Sequence, residues 1–131
     1  MRYAGVGSRE TPSSVLVQMR WIAQMLAQYG WMLYSGGATG ADQAFEKSCI
    51  DARGLKRIFL PWKGFERNPS PFFDPPDAAY EIAKELTPYW GRLTQGTKHM
   101  FARNCQQVLG LALDEPVSVV ICWTEGGKEV G

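Results

Sequence analysis

Apolar and polar positions alternate along this chain in blocks that read as strand, helix, strand, helix. Arg2 to Val6 is short and apolar and breaks at Gly5-Val6-Gly7-Ser8, the pattern of a strand running into a loop. Thr11 is then placed to cap a helix with Pro12 at its first position. Val15, Met19, Ile22 and Leu26 recur at helical spacing, with Leu16 and Ala23 beside them, and Gly30 ends the stripe. Trp31 to Tyr34 predicts the second strand. Thr39, followed three residues later by Asp42, resembles a capping box, so a second helix is expected to run to about Arg53 and stop at Gly54. Lys56 to Pro61 predicts a third strand, apolar at its centre as a strand covered on both faces should be.

Beyond Pro61 the periodicity disappears. Trp62 to Pro76 holds prolines and aromatics together and predicts a long ordered loop or lid. Asp77 is expected to cap a short helix ending near Leu86. Thr97 is expected to cap another, with Phe101, Cys105, Val108 and Ala112 as its apolar face. Pro116 to Trp123 is β-branched and almost wholly apolar, the strongest strand signal in the chain.

Strands alternating with helices predict an α/β fold: a single Rossmann-like domain with a mainly parallel sheet and helices on both faces. In such sheets ligands gather beyond the carboxyl ends of the strands. Three glycine-bearing loops follow predicted strands: Gly5 to Arg9, Ser35 to Gly40, and Thr124 to Gly127. All three are therefore expected on one edge, where glycines and helix starts offer unpaired N–H groups to a phosphate.

Candidate ligand-binding residues follow from that placement. They are Gly7, Ser8 and Arg9 from the first loop, Ser35, Gly36, Gly37, Thr39 and Asp42 from the second, and Thr124, Gly126 and Gly127 from the third. Gly36 and Gly37 are expected to face the ligand. Arg103 and Asn104 join them from the later helix. Lys63, Arg67 and Asn68 lie among the aromatics of the long loop, a setting suited to stacking on a nucleobase. Glu46 and Glu129 are weak candidates for a catalytic carboxylate, and Glu125 lies near the same edge; none has a visible partner. With one histidine, His99, no Ser-His-Asp or Cys-His arrangement is available, and the standard mononucleotide and dinucleotide glycine fingerprints are absent.

Composition narrows the classes further. The chain has 131 residues, 45% hydrophobic and 21% charged, with a net charge of +1, which fits one globular domain and argues against a strong basic field for duplex DNA. Three widely spaced cysteines, Cys49, Cys105 and Cys122, read as reduced core residues of a cytoplasmic protein. There is no metal-ligand spacing and no apolar run long enough for a bilayer. No cofactor is expected.

Taken together, Gly5-Val6-Gly7-Ser8-Arg9-Glu10, Ser35 to Asp42, Lys98 to Asn104 and Cys122-Trp123-Thr124 with Gly126-Gly127 resemble the SLOG superfamily. Those Rossmann-like domains link the DNA processing protein A family with the Lonely Guy phosphoribohydrolases. The resemblance spans nearly the whole chain and implies a nucleotide or nucleotide-derived ligand, ADP-ribose-like, bound by a sensor or carrier. The alternatives it implies are an N-glycosidase acting on nucleoside monophosphates and a module for single-stranded DNA. Lonely Guy enzymes carry Pro-Gly-Gly-x-Gly-Thr-x-x-Glu after a late strand. Here Glu125-Gly126-Gly127-Lys128-Glu129-Val130-Gly131 lacks the Thr and the downstream Glu, which argues against glycosidase chemistry. Chains of this look continue from the final glycines into a last helix. The resemblance therefore implies a fragment or an edge completed by another subunit, and a homo-oligomer is expected.

Overall fold

The computed structural model describes residues 1–128 and has four parallel strands: β1 (Arg2–Gly5), β2 (Met32–Ser35), β3 (Leu55–Ile58) and β4 (Val119–Ile121). Their order in the sheet is β3-β2-β1-β4. Four α-helices connect them: α1 (Ser13–Gln28), α2 (Ala41–Asp51), α3 (Asp77–Leu86) and α4 (Gln95–Leu109). The chain steps outward from β1 to β2 to β3 and then crosses back to β4. Right-handed crossovers place α1 and α2 on one face and the α3–α4 return on the other. In keeping with this, α1 packs on α2, and α3 on α4. The winding direction thus reverses between β1 and β4, and every strand ends on the same edge.

Tyr3, Leu33, Phe45, Cys49, Ile58 and Leu60 fill the core between the sheet and the first helix layer, closed by Met19 and Ala23 of α1. Burying such side chains is the main favourable contribution to folding. Gly5 is needed at the end of β1 because a Cβ there would lie 2.5 Å from the Phe45 ring. Cys49, Cys105 and Cys122 are free thiols. No helix among the described residues is long and apolar enough to cross a membrane.

Several expected boundaries move, for local reasons. Thr11 does not cap α1: its hydroxyl donates to the Ser8 carbonyl at 2.7 Å, closing a turn, and the helix begins after Pro12. Thr39 does not cap α2 either. Gly40, at φ 94°, occupies the cap position, and the Thr39 hydroxyl donates to Glu66. α3 starts on Asp77 with Pro76 ahead of it. α4 starts earlier than expected, because Thr94 rather than Thr97 is the cap and accepts the Thr97 N–H at 3.2 Å. Gly110, at φ 89°, ends α4 before Ala112.

Two expectations about burial are also corrected. β3 is an edge strand with Leu55 and Lys56 exposed. Its chain continues into the buried Phe59 and Leu60, which pair with the Phe72 segment of the long loop. On α4, the side turned into the protein is Ala102, Arg103, Gln106 and Gln107. The apolar Phe101, Cys105 and Val108 instead line a groove of about 490 Å³ shared with Ile82 and Leu86 of α3. A buried polar helix face against a sheet is unusual and requires partners for each group.

Candidate functional site

The glycine turn after β2 supplies a partner for Arg103, while Gln106 donates to the Leu111 carbonyl at 3.1 Å and its Oε1 has no protein partner among the described residues. Gly36 is buried, and its carbonyl accepts a hydrogen bond from Nη1 of Arg103, which also donates to the Phe59 carbonyl at 3.1 Å. A Cβ on Gly36 would run into Gln107 Nε2, and would meet Arg103 Nη1 at 2.6 Å and Asp42 Oδ2 at 2.8 Å. Gly37 is left-handed at φ 72° and abuts Leu60 and Asn68. The side of each glycine where a Cβ would stand is therefore packed against the protein itself. Ser35 is likewise turned inward, its hydroxyl donating to the Gly5 carbonyl at 2.6 Å to tie β1 to β2.

Asp42 fills the place a bound anion would take at the start of α2. Its Oδ2 accepts the Ala38 N–H at 3.3 Å, and the residue is 3% exposed. Burial raises its carboxyl from 3.8 to about 6, against the opposing pull of the Arg103 guanidinium and of hydrogen bonds from the main chain of Ala38 and Gly7. Burial likewise lowers Arg103, while Asp42 holds it up. Desolvation thus outweighs the attraction for both groups.

The sign of the resulting pH dependence is fixed. Between the ordinary value and about 6 the folded chain binds a proton that the unfolded chain has lost, so this contribution to stability is greatest at acid pH and falls as pH rises through 6. The raised pKa corresponds to about 3 kcal/mol over that range. Unfolding free energies of wild type and Asp42→Asn measured at pH 4 and pH 7 should differ by this slope, which the uncharged amide of the variant flattens. Parallel profiles would refute the assignment.

The remaining candidates scatter. Gly7 packs on Ala41. The Ser8 hydroxyl accepts the Glu10 N–H at 2.9 Å, and its carbonyl presses on Gly40. Asn104 accepts from Arg103 Nε at 2.9 Å and lies in the wall of the α3–α4 groove, away from the loop edge. Glu46 is paired with Lys56 at 3.0 Å and with Asn68 at 2.8 Å. Thr124 donates to the Lys128 carbonyl, while Gly126 and Gly127 are left-handed and exposed, with open space around them. Glu129 lies outside the described residues.

Of these candidates, the described structure places Arg9 in an open cleft, one of about 690 Å³. Arg9 comes from the loop after β1, Met100 from α4, and the rest of the lining from the loop after β3: Trp62, Gly64, Phe65, Glu66 and Arg67. Trp62 is 42% exposed, and its indole meets Phe65 edge to face at 5.3 Å. Phe65 in turn lies under the Arg103 guanidinium, 5.5 Å from ring centre to Cζ. One aromatic ring thus separates the cleft from the buried Asp42–Arg103 cluster. Sequence reasoning does not single out Trp62, Phe65 and Glu66 as site residues. The density of aromatic and basic residues in that loop is the available signal, but sequence spacing cannot show that the loop folds back toward Arg9.

Comparison with protein-family models, with curated proteins and with solved structures finds no match.

Proposed function

We propose that this chain binds a nucleotide or nucleotide-derived phosphate ester, ADP-ribose-like, in the cleft between Arg9 and the Trp62–Arg67 loop. The observation that carries the reading is the combination of two guanidinium-bearing side chains, Arg9 and Arg67, with a half-exposed indole, Trp62, around about 690 Å³. That volume is within the range of small-molecule sites. Arginine forks match phosphate oxygens, and an exposed aromatic face accepts a base. The position on the carboxyl edge of a parallel sheet and the likeness to SLOG domains support the same reading.

Binding is favoured over hydrolysis because Glu46 is already engaged by Lys56 and Asn68 and does not line the cleft, and Glu66, which does, is itself paired with Arg9 and Thr39. A sensor or carrier role follows from that. Calorimetry and thermal shift against nucleoside mono-, di- and triphosphates, ADP-ribose and cyclic nucleotides test it. At least one should bind, and Arg9→Ala and Arg67→Ala should each weaken it about tenfold or more, the worth of a charge-assisted hydrogen bond. Trp62→Ala should weaken it by a comparable factor. A panel with no binding would sink the reading.

A further inference from the structure

The cleft contains one acid among its bases. Glu66 Oε1 lies 3.8 Å from Nη2 of Arg9, and Glu66 Oε2 accepts the Thr39 hydroxyl at 3.3 Å. A carboxylate of the chain thus occupies the side of the cleft where Arg9 would take an anion. It is held there by an unusual backbone. Glu66 and Arg67 are consecutive non-glycine residues in the left-handed region, at φ 52° and 59°, just after Gly64 at φ 75°. Such conformations are costly for residues with a Cβ and persist only where surrounding bonds impose them. Here the Arg67 N–H donates to the Gly64 carbonyl at 2.8 Å and the Asn68 N–H to the Phe65 carbonyl at 3.0 Å.

Resting on the nucleotide reading above, we propose that Glu66 stands in for a ligand phosphate. Its carboxylate holds Arg9 and Thr39 until a phosphomonoester or pyrophosphate displaces it, so Glu66 competes with the ligand phosphate for the same donors. The ion pair is long, and its two side chains are 56% and 32% exposed, so displacing it costs little. A phosphate offers the Arg9 fork more oxygens and more charge than one carboxylate.

The test uses the whole chain, with inorganic pyrophosphate, ADP-ribose and adenosine titrated calorimetrically into wild type, Glu66→Gln and Glu66→Gly. Glutamine removes the charge while keeping the shape. Glycine also relieves the backbone, so it should unfold at a higher temperature than wild type. Both variants are expected to bind pyrophosphate and ADP-ribose about five- to tenfold tighter, as removal of one nearby like charge implies, with adenosine unchanged. If wild type binds ADP-ribose and the variants bind it equally or more weakly, the stand-in role is wrong while the ligand reading survives. Loss of adenosine binding in the variants would mean that Glu66 holds ribose hydroxyls and would likewise overturn it. If none of the three proteins binds either phosphate compound, both proposals fall together.

Discussion

Gly36→Ala is expected to destabilise the protein by about 2–4 kcal/mol, a large part of the roughly 5–15 kcal/mol typical of a domain. The cause is crowding rather than backbone conformation, because Gly36 is not among the residues with positive φ. The added methyl would collide with Gln107 and lie 2.6 Å from Arg103 and 2.8 Å from Asp42. All three are side-chain ends, which normally swing away at small cost. Here they cannot, since Gln107 is 6% exposed and Arg103 3% exposed, and Arg103 is fixed by the Gly36 and Phe59 carbonyls. Moving them would leave buried polar groups unpaired. Gly37→Ala supplies the comparison. Its nearest contact is 3.1 Å, but its φ is 72°, so its cost is mainly conformational and should be about 1–2 kcal/mol. Denaturant midpoints of the two variants decide the matter. A harmless Gly36→Ala would mean that the glycine turn does not pack as described.

The same turn shows where sequence reasoning reaches and where it stops. Alternating strands and helices carry the parallel sheet, and with it the sharing of one edge by the loops after β1, β2 and β4, because handedness and connection length leave few other arrangements. The glycines after β2 are legible as a place of close approach. What approaches them is not, because Arg103 is 67 residues away in sequence from Gly36. An arginine two positions after Phe101 on an amphipathic pattern reads as a ligand-binding or a helix-surface residue, and the apolar stripe of Phe101, Cys105 and Val108 reads as the face toward the core. The structure reverses that assignment by burying Ala102, Arg103, Gln106 and Gln107 and giving the apolar face a groove with α3. Helix starts move where a threonine has a competing partner: Ser8 for Thr11, Glu66 for Thr39. Such competition leaves no trace in helical spacing.

Arg103→Met should be the most damaging single change, costing about 3–5 kcal/mol at neutral pH. Methionine keeps the apolar stem but removes the donors to the Gly36 and Phe59 carbonyls, the stacking on Phe65, and the cation facing Asp42. Asp42 is then left buried without the charge that opposes its desolvation, so its carboxyl should rise beyond about 6. The defect is therefore expected to depend on pH in a definite direction. A protonated Asp42 needs no counter-ion, so the variant should recover part of its lost stability as pH falls toward about 5, with the remainder due to the unpaired carbonyls. Adding Asp42→Asn to Arg103→Met should restore a similar part at neutral pH, giving a double-mutant coupling of about 1–3 kcal/mol. Arg103→Lys should not rescue, because one ammonium cannot serve two divergent carbonyls and stack on Phe65 as the planar guanidinium does. A pH-independent loss in Arg103→Met, with no coupling to position 42, would show that the arginine acts through its carbonyl bonds and packing alone.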